Sequence, residues 1–171
     1  MLMTTNTLWT PPASENLGEL IELTENDLQL LAELESYAAT VAQAFQETIF
    51  ASLSQNLLYV SPIEYKLGRV ALEKWFVHLF REAHTVSASP QRENLNYPLS
   101  TRLHRKSGIP FRYMLGMMEI ILRFGKRVTM TSVKPEQAFS AFQKVLGLEF
   151  ARNQAYEELY ISHLSELMLD D

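Results

Sequence analysis

The chain has 171 residues, a formal net charge of -5 and an apolar fraction of 47%, which suits one domain around one buried core. It contains no cysteine, and this excludes disulfides, thiolate catalysis, Cys-ligated zinc or iron–sulfur sites and any pigment held by a thioether bond. Both signs of charge are interspersed, without the basic face that nucleic acid needs, and no run reaches the roughly 18 apolar residues of a membrane span.

Residues 1–16 (MLMTTNTLWTPPASEN) are polar, carry Pro11 and Pro12 and lack a basic n-region. They read as a flexible arm and not a signal peptide, so a single domain over 17–171 in the cytoplasm is expected. A short helix is expected around Leu17 to Leu23. Thr24 and Asp27 then have the spacing of a capping box, opening an apolar row through Leu28, Leu31, Leu34, Val41, Phe45, Ile49 and Leu53. That row is long enough for two helices joined near Glu35 to Ala39.

Ser61-Pro62-Ile63-Glu64 is a helix start, with Ser61 as cap, Pro62 at the first turn and Glu64 reaching back. Leu67, Val70, Ala71, Trp75 and Leu79 carry its apolar face to about Arg81. A polar stretch from Glu82 to Asn96, with Pro90 inside it, predicts a long surface loop. A short helix over Pro98 to Lys106 comes next. Gly108 suits its C-cap and Pro110 the first turn of the following helix, which runs through Met114, Leu115, Met118, Ile121, Leu122 and Phe124 to about Val128. Ser132 and Pro135 open the last helix, whose apolar side holds Phe139, Phe142, Leu146, Phe150, Tyr156, Leu159, His163 and Leu167. Strand and hairpin signals are lacking. The expected class is all-α, with six to eight helices.

Four histidines are candidates for chemistry. His84 lies in the polar loop and reads as a solvated side chain. His163 falls among apolar positions of the last helix, as a packing or subunit-interface residue would. His78 follows Leu67, Ala71 and Trp75 at helical spacing and reads as a core or boundary residue. His104 can share a face of its short helix with Leu99 and Leu103, while Arg102, Arg105 and Lys106 crowd it. A neutral imidazole is a good iron ligand, and the two propionates of a haem call for cations at the pocket rim. A structural histidine explains the same spacing, so the residues alone leave both readings open.

The segment His104 to Gly116, HRKSGIPFRYMLG, resembles the proximal segment of the globin-coupled oxygen sensors and protoglobins, keeping His104, Lys106, Gly108, Ile109, Pro110, Tyr113, Leu115 and Gly116 in register. Upstream, Phe45 stands where that family has a Phe-Tyr pair on its B helix, and Leu67 to Phe80 looks like its E helix. The resemblance covers about Leu20 to the C-terminus. It implies a globin-like three-over-three helical sandwich with a helical segment before the A helix. It also implies a noncovalent haem b with His104 as proximal iron ligand. Phe45, Gln46, Leu67, Ala71, Trp75, Leu103, Tyr113 and Met114 would line the haem, and Arg105 and Lys106, with Arg102, would meet its propionates. His78 is a candidate sixth ligand.

Three positions depart from the family pattern: Gln46 replaces the B-helix tyrosine, Ser107 an isoleucine and Met114 a tyrosine. The function implied is a sensor that binds a diatomic gas (O2, CO or NO) or responds to redox state. The resemblance further implies a homodimer through the last two helices. No output module is read in this chain, so a stand-alone sensor globin and an excised domain are both open, with a separate signalling protein as a candidate partner. The alternative is a haem-free globin-like interaction module; a noncovalent bilin protein ranks below both. No Ser-His-Asp order, Walker loop, paired-carboxylate signature or zinc motif points to an enzyme.

Overall fold

The computed structural model describes residues 21–56, 62–81, 107, 109 and 111–169, with helical residues 55–56, 62–65, 111, 152 and 155–169 described by their backbone only. Six helices follow in order among them: α1 (Glu25–Ala32), α2 (Glu35–Asn56), α3 (Pro62–His78), α4 (Phe111–Gly116), α5 (Met118–Thr129) and α6 (Pro135–Leu169). The described residues contain no strand, and the class is all-α. None of these helices is long and apolar enough to cross a membrane.

The capping box forms as its spacing predicts. The Asp27 amide donates to Thr24 Oγ1 at 3.2 Å, and the Thr24 amide donates to Asp27 Oδ2 at 3.0 Å. Of the expected helix from Leu17 to Leu23, residues 17–20 lie outside the described residues, and 21–23 form a turn leading into an extended step, with Glu22 at the left-handed φ of 56°. Its carbonyl faces α6, where Lys144 Nζ donates to it at 3.0 Å and to Asp27 Oδ2 at 2.9 Å. One ammonium thus ties the start of α1 to the last helix.

The joint between α1 and α2 falls at Glu33–Leu34, just before the expected Glu35 to Ala39. The Leu34 amide donates to Leu31 O at 2.9 Å, a single tight 3₁₀ turn, and the Ala38 amide already returns to Leu34 O. No breaker residue marks this joint, so periodicity runs straight through it.

Pro62 opens α3 as expected, while its cap Ser61 lies outside the described residues. The helix ends at His78 and tightens: the Phe80 amide donates to Val77 O and the Arg81 amide to His78 O. The expected loop from Glu82 to Asn96, the short helix of Pro98 to Lys106, Gly108 and Pro110 all fall outside the described residues.

The expected helix through Val128 is two helices, broken at Met117 (φ −98°, ψ 14°) directly after Gly116. Because the Met117 amide still reaches Tyr113 O and the Ile121 amide reaches Met117 O, the break is a kink. Ser132 Oγ accepts from the Lys134 amide, and Pro135 sits at the first turn of α6.

These helices enclose an aromatic core. Phe45 of α2 stacks on Phe76 of α3 with centroids 4.4 Å apart, and its edge meets Phe124 of α5. Phe76 touches Phe80, and Phe80 stacks on Phe142 of α6 at 5.2 Å. Phe45 beside Phe76 and Phe50 beside Gly68 show that α2 and α3 run antiparallel. At Gly125 a side chain is excluded, since a Cβ there would lie 2.0 Å from the Phe142 ring.

Candidate functional site

The candidate site lies where α2 and α3 face each other, because Phe45, Gln46, Ala71 and Trp75 were all expected to line it. Phe45 and Trp75 are fully enclosed, and Ala71 and Gln46 are buried. Leu67 corrects the expectation, for it is 65% exposed. The buried row of α3 runs through Gly68, Ala71, Leu72, Trp75 and Phe76 and continues to Leu79 just past its end, and Leu67 stands outside it although it is apolar.

Around this row the described side chains pack on one another. Phe45 contacts Trp75, Phe76 and Phe124. Met114, expected against the imidazole, is fully buried within the same core cluster. Tyr113 is half-buried, with the Arg112 guanidinium 5.1 Å from its ring centroid.

Ser107 follows the expected iron ligand by three residues. It is buried, and its Oγ accepts from the Ile109 amide at 3.3 Å. Its carbonyl lies against the backbone of α3: a Cβ added to Gly68 would stand 2.5 Å from Ser107 O and 3.5 Å from the Phe50 ring. Only glycine permits this approach. Leu103, His104, Arg105, Lys106 and Arg102 lie outside the described residues, as does His84; His163 is placed on the backbone of α6 only.

Among the polar residues buried in the interior, Gln46 and Glu149 stand nearest the expected site. Gln46 is 4% exposed, and its buried Oε1 has no hydrogen-bond partner among the described residues. Glu149, which the sequence reading did not single out, is 1% exposed on α6. Its Oε1 accepts from Trp75 Nε1 at 3.4 Å and from Asn153 Nδ2 at 2.8 Å, and that amide also donates to Glu149 O. Glu149 sits in register with Phe142, Leu146 and Asn153; a carboxylate one turn after two apolar residues of the core row was the signal for it.

His78 is 6% exposed at the end of α3. Burial is the main cause holding its pKa below the ordinary 6.5, and the Arg81 charge adds to this while Glu35 opposes it. Arg81 is itself held by Glu35, Nε to Oε1 at 2.6 Å. A neutral imidazole suits a core position. No group of three or more His, Asp or Glu among the described residues is placed to hold a metal ion.

Neither family models nor curated proteins nor solved structures give a match to this chain.

Proposed function

We propose that this chain is a globin-like helical module that works through contacts with other protein chains, without a bound haem. The Gly68–Ser107 contact carries this reading. A haem is a plate held between a proximal ligand and the side chains of a facing helix. The resemblance assigns those roles to His104 and α3, yet the chain three residues past His104 lies directly on the α3 backbone. Phe45, Trp75 and Met114 fit a packed core better than the walls of a slot, since each is in contact with protein on every side. Gln46 and Met114 stand where the sensor family commonly has tyrosines, and their replacement supports the same reading. A second copy of the chain, paired through the last two helices, and a separate signalling protein are the partners that this module would take.

One observation favours haem binding as a second reading: the buried Gln46 amide with its orphan oxygen. Amide oxygen and nitrogen are interchangeable assignments, so this side chain can offer an N–H to a diatomic ligand. His104 would then hold the iron of a haem b, Arg105 and Lys106, with Arg102, would meet the propionates, and Gln46 would face the ligand. The haem would supply gas binding or a redox response.

Absorption spectra of the purified protein with haem added decide between them. The first reading expects only the spectrum of free haem, unchanged by His104→Ala. A Soret band that shifts with CO and disappears in His104→Ala overturns it.

A further inference from the structure

The solvent side of α5 is basic in an acidic chain. Ile121, Phe124, Gly125 and Val128 are buried, and the positions left facing solvent are Glu119, Arg123, Lys126, Arg127 and, just past the end of the helix, Met130. Arg112 on α4 and Lys134 before α6 are exposed on either side in sequence. Residues 107–134 thus hold five Lys or Arg against one acidic residue, Glu119, with Glu136 following at the start of α6, in a chain of 15 Lys and Arg against 20 Asp and Glu. Two other cations show what a paired one looks like here: Arg81 meets Glu35 at 2.6 Å and Lys144 meets Asp27 at 2.9 Å. On α5 the contacts are looser. Arg123 reaches Glu119 only at 3.8 Å, with both side chains more than half exposed, too solvated to neutralise it. Lys126 lies 6.0 Å from the Phe139 ring centroid, and Arg127 and Lys134 meet no carboxylate among the described residues.

The helix dipole accounts for part of this, since Lys126 and Arg127 sit in the last turn of α5, where cations are favoured. It does not account for Arg123 one turn earlier, for Arg112 and Lys134 outside the helix, or for the apolar side chains among them. Met130 is 56% and Val133 88% exposed, within a turn or so of Arg127 and Lys134. A single exposed apolar residue is ordinary. Two of them set into a run of like charge give a surface that attracts an acidic partner and gains when that partner covers hydrocarbon. We infer that the exposed face of α5, with the turn after it, is the docking site for an acidic, amphipathic helix of a different protein. This rests on the reading that contacts with other chains are the function, and it names the surface and the chemistry of the separate partner. The exposed positions 123, 126, 127 and 130 repeat as one helical stripe, which carboxylates spaced i, i+4 on a facing helix can follow. A second copy of the same face would set Arg123 and Arg127 against their own counterparts at a two-fold axis, so the occupant has the opposite sign. A nucleic acid or an anionic lipid surface would also meet the rest of a chain with a formal net charge of -5, whereas one short helix meets the basic face alone.

Anisotropy titration of the full chain tests this, against a labelled, capped peptide of about 15 residues with Glu at successive i, i+4 positions and Leu on the adjoining stripe. Wild type is expected to bind it, with a Kd that rises about tenfold or more between 0.1 and 1 M salt, as the screening length falls from ~10 to ~3 Å. A scrambled peptide of the same composition should bind at least about tenfold more weakly. Arg123→Glu/Arg127→Glu is expected to weaken binding by at least about tenfold and to transfer preference to the same peptide with Lys in place of Glu. Met130→Ser/Val133→Ser should weaken it while keeping the salt dependence, and Lys66→Glu/Lys74→Glu, on the exposed side of α3, should leave it unchanged. Helical circular dichroism checks that each variant folds, and Arg123→Gln/Arg127→Gln removes the charge without adding repulsion. No binding at about 1 mM peptide, equal binding of the scrambled peptide, binding of duplex DNA or phosphatidylserine vesicles as tight as that of the peptide, or the same loss from the α3 reversals overturns the proposal. A Soret band in a protein that binds the peptide in this way overturns the haem-free reading and leaves the docking face standing. Neither a Soret band nor peptide binding overturns the docking face alone.

Discussion

Gly68→Ala separates the two readings of the interior by the sign of its effect. In the middle of a helix, replacing Gly by Ala ordinarily stabilises by about 0.8–1 kcal/mol. Gly147 of α6, with nothing within 4 Å of an added Cβ, provides that baseline. At Gly68 the new methyl would lie 2.5 Å from Ser107 O and 3.2 Å from Ser107 C. Both are backbone atoms that cannot swing aside, and Ser107 is buried and anchored by its own turn. Forcing a methyl into a filled core costs about 1–3 kcal/mol, and the upper part of that range applies to an overlap against backbone. The net expectation is a loss of about 1–2 kcal/mol, or a fall in Tm of roughly 2–8 °C for a chain of this length. Gly147→Ala should raise Tm by about 2–4 °C. Thermal melts followed at the helical dichroism band measure both. A haem lying between α3 and the His104 segment would hold them apart, and Gly68→Ala would then behave as Gly147→Ala does. Parallel increases in Tm refute the closed interior.

Three further outcomes follow from the same core. Glu149→Ala removes the carboxylate that accepts from the Trp75 indole and one of the two acceptors of the Asn153 amide, and should cost about 1–3 kcal/mol in urea unfolding, whereas Glu149→Gln keeps an acceptor between them and should cost clearly less. His78 has a folded-state pKa below its unfolded value of 6.5, so the unfolded chain binds the extra proton. Its contribution is therefore complete above 6.5 and lost as pH falls through the folded-state pKa, and His78→Gln should flatten the stability profile in that window. Gln46→Leu removes an orphan acceptor and fills the site with hydrocarbon, so it should be neutral or stabilising by up to about 1–2 kcal/mol, which denaturant titration would show as an unchanged or higher midpoint. A clear destabilisation would mean that Gln46 is satisfied by something the closed core does not contain.

Local chemistry made most of the helices legible. Thr24 with Asp27, and Pro62 and Pro135 at first turns, are caps whose geometry depends on neighbours in sequence, and they formed where they were read. The joint at Glu33–Leu34 and the kink at Met117 were not legible, because both lie inside an unbroken apolar period and are set by packing. The site was legible in part. Phe45, Ala71, Trp75 and Met114 were read as inward-facing and are buried, but spacing alone does not distinguish a wall of a cavity from a piece of core. Leu67 failed for a related reason: hydrophobicity suggested burial, while its angle on the helix put it in solvent. Glu149 was missed because a carboxylate on a helix is usually a surface residue, and its partner Trp75 is 74 positions away.

The closed interior also constrains how such a module could work. Rings in contact run from Phe45 through Phe76 and Phe80 to Phe142, and Gly125 lets α5 press on Phe142 at the end of the row. A path of packed side chains becomes a path of coupling only where some element has two arrangements. This row has little freedom for a second one, since Phe45, Phe76, Phe80 and Phe142 are each fully enclosed and Gly125 leaves no slack against the last ring. Movement of a ring would therefore open a void costing several kcal/mol, on the scale of about 3–5 for a deleted phenylalanine. A ligand-driven shift inside the core is thus the costly route. The less costly route is to present a rigid face, and the exposed cations of α5 stand on the helix that the row braces from beneath.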